Sequence, residues 1–216
     1  MSTLITLPTP VLRCAVRCAA KNDARRYLNG VHLRADADGL IVEATAGTYY
    51  IGIRCHAQMI EPPQSLILDA SSLTTALRAL GCRSIMCSLR CDDMGAWTIS
   101  EGQVCVGVCT IQEKYPDTTA RLLDLAACEN GEQMWVDADY MALIMDGAAR
   151  LSPGKRCARV CCLGASAAGM RWSVEAQDAQ AVIILAPLRQ RPEWRRGEDV
   201  LCAVRGGTQS VIKDAA

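Results

Sequence analysis

Histidine is nearly missing from this chain: His32 and His56 are the only two in 216 residues, and although there are 13 cysteines, no two form a Cys-x2-Cys pair. Zinc sites draw on closely spaced thiolates or on histidine, so no metal site is expected. The commonest close spacing is Cys-x3-Cys, at 14/18, 87/91, 105/109 and 157/161, and many of these cysteines alternate with Val, Ile or Gly, as in "VCVGVCTI". They read as small buried hydrophobes in a reducing compartment. A cysteine nucleophile would need a base beside the thiol, and neither histidine sits in a recognisable partner motif. No phosphate-binding glycine loop is present, and no cofactor is expected. The longest apolar runs, such as 181–188, are too short to cross a bilayer. The N-terminus shows no charged region followed by a hydrophobic stretch and a cleavage site, so a cytoplasmic protein without membrane contact is expected. Charge of one sign is also lacking: 23 basic residues balance 23 acidic ones. That excludes a strong overall field toward nucleic acid and leaves any such contact to how the charges are distributed.

What is present is a core-forming chain with 50% apolar positions and a pattern that repeats. The hydrophobic period switches between two and about 3.6 several times along the sequence. "TLITLPTPVLRCAVRCAA" reads as a strand followed by a helix, and "LNGVHLRA", "GLIVEAT" and "TYYIGIRC" as three further strands. After "AQMIEPPQ" the order begins again with "SLILD", the helix "ASSLTTALRAL", and the strands "SIMCSLR", "AWTIS" and "VCVGVCTI". A third pass runs through "MWVD", "ADYMALIMDGAARL", "CARVCCLG", "GMRWSVEA" and "AVIILAPL". The unit is βαβββ, repeated about every sixty residues. Asp69 and Asp137 stand where helix N-caps are wanted. Beyond residue 188, "RQRPEWRRGED" reads as a polar loop containing Trp194, and "VLCAVRGGTQSVIKD" supplies at most a strand or hairpin. One such unit cannot close its own core, so units one and two are expected to join as a continuous sheet with both helices on one face, forming a complete domain over residues 1–123. Residues 124–216 then form a partial domain, one unit plus a remnant. The fold class is α+β.

In this setting "RRYLNGVHLRADADGLIVEATAGTYY" resembles the middle domain of the bacterial DNA polymerase III beta subunit, the sliding clamp. The matching runs are Arg26-Tyr27-Leu28-Asn29-Gly30 and the stretch from Glu43 to Tyr50, with no gap needed between them. "ITLP", residues 5–8, is similar to that family's entry strand, and Tyr115-Pro116-Asp117 to the segment joining its middle and last domains. The resemblance covers residues 3–123 well and 132–188 more weakly. The family's first domain and its final half-domain have no counterpart.

The resemblance implies the DNA clamp fold and a processivity factor that does no covalent chemistry. Its helices would line a channel around double-stranded DNA while its sheets form an outer wall. Arg13, Arg17 and Lys21, spaced four apart, are expected on one helical face, opposite Leu12, Val16 and Ala19. Such a basic stripe holds phosphates without reading sequence, which suits sliding. Arg25, Arg26 and Tyr27 lie where the family's middle domain also approaches DNA. The second helix offers only Arg78, and the third carries Arg150 beside Asp137, Asp139 and Asp146.

The family also captures short linear motifs of polymerases and clamp-loader proteins in a hydrophobic pocket. The matching positions here are Leu28, Thr45, Gly47, Thr48, Tyr49, Tyr50 and Pro116. The family's histidine, arginine and leucine are replaced by Thr48, Tyr49 and Tyr50. Two readings of the adjacent tyrosines stand side by side: a shared pocket floor, or simple alternation between core and surface. Known clamps close about twelve βαβββ units, so three units per chain point to a homo-oligomeric ring of four chains. The alternative is a clamp-derived protein-binding module of a mobile element that modulates host replication without encircling DNA.

Overall fold

The computed structural model describes residues 3–36, 38–118, 138–151, 159–166, 169–176 and 179–185. The first unit starts with β1 (Leu4–Pro8), in which Ile5 and Leu7 turn inward. It runs directly into α1 (Thr9–Arg17), whose Pro10 occupies the first turn, where a missing N–H costs no helical hydrogen bond. Val11, Leu12, Cys14 and Ala15 make its buried face. A short 3₁₀ turn, Arg26–Asn29, leads into the meander β2 (Gly30–Asp36), β3 (Gly39–Thr45) and β4 (Tyr49–Cys55). A three-residue edge strand, β5 (Gln58–Ile60), closes the unit.

The second unit comprises β6 (Leu66–Asp69), α2 (Ala70–Ala79), β7 (Met86–Cys91), β8 (Trp97–Glu101) and β9 (Val104–Val108). Asp69 caps α2 as its position suggests: its carboxylate accepts from the Ser72 N–H at 2.7 Å. The third unit contributes α3 (Ala138–Arg150), β10 (Arg159–Ser166), β11 (Gly169–Glu175) and β12 (Ala179–Leu185). Its expected first strand and the Asp137 cap lie outside the described residues, as do the C-terminal loop and hairpin.

The units do not sit side by side as one sheet, and here the expectation from sequence is corrected. Units one and two exchange their first strands. β1 pairs antiparallel with β5 and β7 in a five-stranded sheet ordered β5-β1-β7-β8-β9, while β6 pairs with β2 of the other unit. Each entry strand is followed at once by its helix, with no turn that would fold it back onto its own meander, so it is free to join the neighbouring one. The continuous sheet forms elsewhere. β4 leaves one edge open after pairing with β3, and β12 takes it from Ala179↔Cys55 to Leu185↔Tyr49. The result is a seven-stranded antiparallel sheet, β10-β11-β12-β4-β3-β2-β6, that runs from the third unit through the first.

One core joins these layers. Leu7, Leu12, Leu33, Val42, Ile51, Ile53, Leu68, Leu73, Leu89 and Ile99 are buried between helices and sheets, and Ile144 and Ile183 extend the core into the third unit. α1 crosses α3 closely at Gly147, where an added Cβ would come within 3.2 Å of the Cys14 sulfur. Cys14, Cys18, Cys55 and Cys87 are buried, but Cys105 and Cys109 of the "VCVGVCTI" run, expected as buried hydrophobes, are exposed because β9 is an edge strand, and Cys82 is exposed as well. Burial pushes the Cys18 and Cys55 thiols up to about 12 and Cys87 to about 11, away from the thiolate state that nucleophilic chemistry needs. Among the described residues no helix is long and apolar enough to cross a membrane.

Candidate functional site

The basic face expected on α1 is divided by the packing of the helices. Arg13 is half-buried, and its guanidinium donates from Nη2 to the carbonyls of Leu77 at 2.9 Å and Gly81 at 2.6 Å. It thereby satisfies acceptors at the negative C-terminal end of α2 and serves the junction of two helices rather than an open surface. Arg17 is exposed but stands 3.2 Å from Asp146 of α3, which also receives Arg150 at 3.1 Å. The Arg150 and Arg17 guanidinium groups hold the Asp146 carboxyl below its ordinary range. Lys21 is exposed but is not on the helix, because α1 ends at Arg17 and the chain turns through Asn22 at φ 58°. The three residues therefore form no single stripe.

The loop that follows presents the rest of the local positive charge. Arg25 forks onto Asp23, with Nε and Nη2 each 3.0 Å from a carboxylate oxygen. The Arg25 hydrogen bonds draw the Asp23 carboxyl down to about 2. The same guanidinium lies over Gly47, where an added Cβ would stand 3.3 Å from Nη2 and the φ of +89° suits glycine. Arg26 is exposed at the start of the 3₁₀ turn. The Tyr27 N–H donates to Glu113 at 3.1 Å, and its ring meets Tyr115 edge-on at 6.3 Å.

The positions matched to the partner pocket do not form one cavity floor. Thr45 closes the β3–β4 turn: its hydroxyl donates to the Tyr49 carbonyl at 2.6 Å and accepts from the Gly47 N–H at 3.0 Å. Gly47 and Thr48 are exposed at that turn, Pro116 is exposed farther along, and Leu28 is buried in the 3₁₀ turn. Tyr49 and Tyr50 point to opposite faces of β4, as successive residues of a strand must. Tyr49 faces the core, 5.1 Å from Tyr140 of α3, and burial pushes its hydroxyl up to about 12. The two side chains therefore share no common floor on one face of the strand.

Tyr50 instead enters a buried polar cluster that reading the sequence missed. On the sheet face away from the helices, His32 of β2 lies directly opposite Glu43 of β3, with Nδ1 2.9 Å from Oε2. The other oxygen, Oε1, accepts the Tyr50 hydroxyl at 2.7 Å and the Thr118 hydroxyl at 2.7 Å. His32 Nε2 is 2.8 Å from Ser65 Oγ, and Tyr115 stacks on the imidazole at 4.3 Å. His32 and Glu43 are 5% and 2% exposed. Burial pushes the Glu43 carboxyl up, but hydrogen bonds from His32, Thr118 and Tyr50 outweigh it and leave the group below its ordinary value. Gly52 makes room for this arrangement, since a Cβ there would collide with the Tyr50 hydroxyl. The segment 111–118 is thus strapped over the sheet face. The signal for the cluster was available: the tight "DADG" turn sets a register in which His32 and Glu43 pair on the face opposite the apolar positions of both strands.

No protein-family model matches the chain, and no curated protein matches it by sequence. Its fold, however, is that of sliding clamps. The beta subunit of DNA polymerase III from Borrelia burgdorferi superposes with a TM-score of 0.64 over 87% of this chain and 63% of its own, at 12% identity. That from Thermotoga maritima gives 0.58 over 88% and 66%, also at 12% identity. The Caulobacter crescentus beta sliding clamp gives 0.52 over 87% and 66%, at 16% identity. The chain therefore spans somewhat less than two thirds of the length of these clamps.

Proposed function

We propose that the protein is a sliding-clamp-like scaffold that embraces duplex DNA without sequence specificity and tethers a DNA polymerase or other replication proteins through short linear motifs. The observation that carries this reading is the pair of interlocked βαβββ units whose seven-stranded sheet continues into a third unit, an arrangement similar to the clamps over nearly the whole described chain. A scaffold of this kind needs shape and charge and no covalent chemistry. The cations offered for phosphate contact are Lys21 and Arg26 in the loop after α1, with Tyr27 at its edge, and Arg25 and Arg17 contributing when their partners Asp23 and Asp146 are displaced. Partner peptides have the turn Thr45, Gly47 and Thr48, together with Tyr50 and Pro116, as their candidate surface; Leu28 and Tyr49 would support it from below. The three units per chain support a homo-oligomeric ring, four chains completing about twelve units.

Light scattering at micromolar concentration, with and without primed circular DNA, tests the assembly. A multimer consistent with four chains is expected, and a stable monomer under both conditions would count against a ring. One observation favours a second reading, a clamp-derived protein-binding module that does not encircle DNA. Arg13 is committed to α2 and Arg17 to Asp146, which lowers the positive charge on the helical face below that of the open stripe expected from sequence.

A further inference from the structure

Ser65, His32 and Glu43 are linked in the order and through the atoms that activate a serine hydroxyl. Glu43 is held ionised by three donors and can only accept, so the His32 Nδ1 carries the hydrogen it shares with Oε2 at 2.9 Å. In the neutral imidazole, Nε2 is then the acceptor, and it faces the Ser65 hydroxyl at 2.8 Å. The base is stacked on the Tyr115 ring and, like the orienting carboxylate, is buried, while the serine is exposed. Ser65 opens onto a mainly polar groove of about 200 Å³ that Ile67, Ile111, Gln112, Glu113 and Lys114 also line. The strap uses Glu43 through Thr118 and the His32 ring through the Tyr115 stack; neither contact involves the second imidazole nitrogen, which meets a serine at the solvent boundary.

The geometry points to Ser65 as the nucleophile of an acyl-transfer site for small carboxylic esters, with His32 as general base and Glu43 as the residue that positions it. Ser65 Oγ forms a bond to the ester carbonyl carbon as its proton passes to His32 Nε2, and the imidazolium is stabilised by Glu43. The ester C–O bond breaks, and the leaving oxygen takes that proton, giving an acyl-serine and an alcohol. Water then adds to the acyl carbon, its proton passing to Nε2 and on to the departing Ser65 oxygen, and the carboxylic acid is released.

The test uses the full chain with p-nitrophenyl acetate as substrate and a fluorophosphonate as covalent probe. The expected result is an adduct that peptide mass spectrometry maps to Ser65, and hydrolysis that falls by about 100-fold or more in Ser65→Ala with thermal unfolding unchanged. His32→Gln should slow probe labelling by a similar factor. No adduct on Ser65, or Ser65→Ala hydrolysing the ester as fast as the unaltered protein, would overturn the assignment and leave the cluster a structural strap.

Discussion

Glu43 is the residue on which most local order depends, because one buried carboxylate collects His32, Tyr50 and Thr118 from two strands and the crossing segment. Its lowered folded-state value means that the folded protein binds fewer protons there than the unfolded chain. The associated stability is fully present above the ordinary glutamate value of about 4.3 and is lost as pH falls through the lower folded value. Unfolding followed across acid pH should show this loss, and Glu43→Gln should flatten that part of the profile. If the variant and the parent lost stability in parallel, Glu43 would not be the titrating group. Gly52 reports on the same cluster from the steric side. Gly52→Ala forces the Tyr50 hydroxyl away from Glu43, and urea denaturation should register a loss of about 1–3 kcal/mol.

Elements show where sequence suffices and where it does not. Helices, meanders and their order were legible because each strand has period two, each helix buries a stripe, and Asp69 marks a cap. Strand exchange between units one and two was not legible, since Ile5 and Leu7 bury equally well against either meander and the pattern says only which face is inward. The site residues divide in the same way. Arg13, Arg17 and Lys21 have helical spacing, but spacing does not reveal that the helix stops at Arg17 or that the Leu77 and Gly81 carbonyls wait for Arg13. His32 and Glu43 went unnoticed because a hairpin register has to be worked out before two separated polar residues become neighbours. At this scale the α1–α3 crossing can be tested directly. Gly147→Val inserts bulk against Cys14 and should cost about 1–3 kcal/mol, more than the gain of at most about 1 kcal/mol from removing a helical glycine. Stability unchanged by that substitution would mean that the two helices do not approach as closely as described.

For the whole molecule, the continuous seven-stranded sheet is the feature with the greatest consequence, because it fixes the third unit rigidly onto the first through the β4–β12 seam. The proposed embrace of a duplex needs such a fixed seam, whereas units joined only by a loose connection would not maintain a common shape. The charge it offers to the proposed duplex is modest and lies mainly in the loop 21–26, so binding should weaken as salt rises with a shallow slope set by the few phosphates neutralised, and show little preference among sequences. The most direct measurement of the central claim is retention on DNA of defined topology at moderate salt. Protein bound to a closed circle should be retained there and be lost when the same circle is cut once. Equal retention on circular and linearised DNA would contradict encirclement.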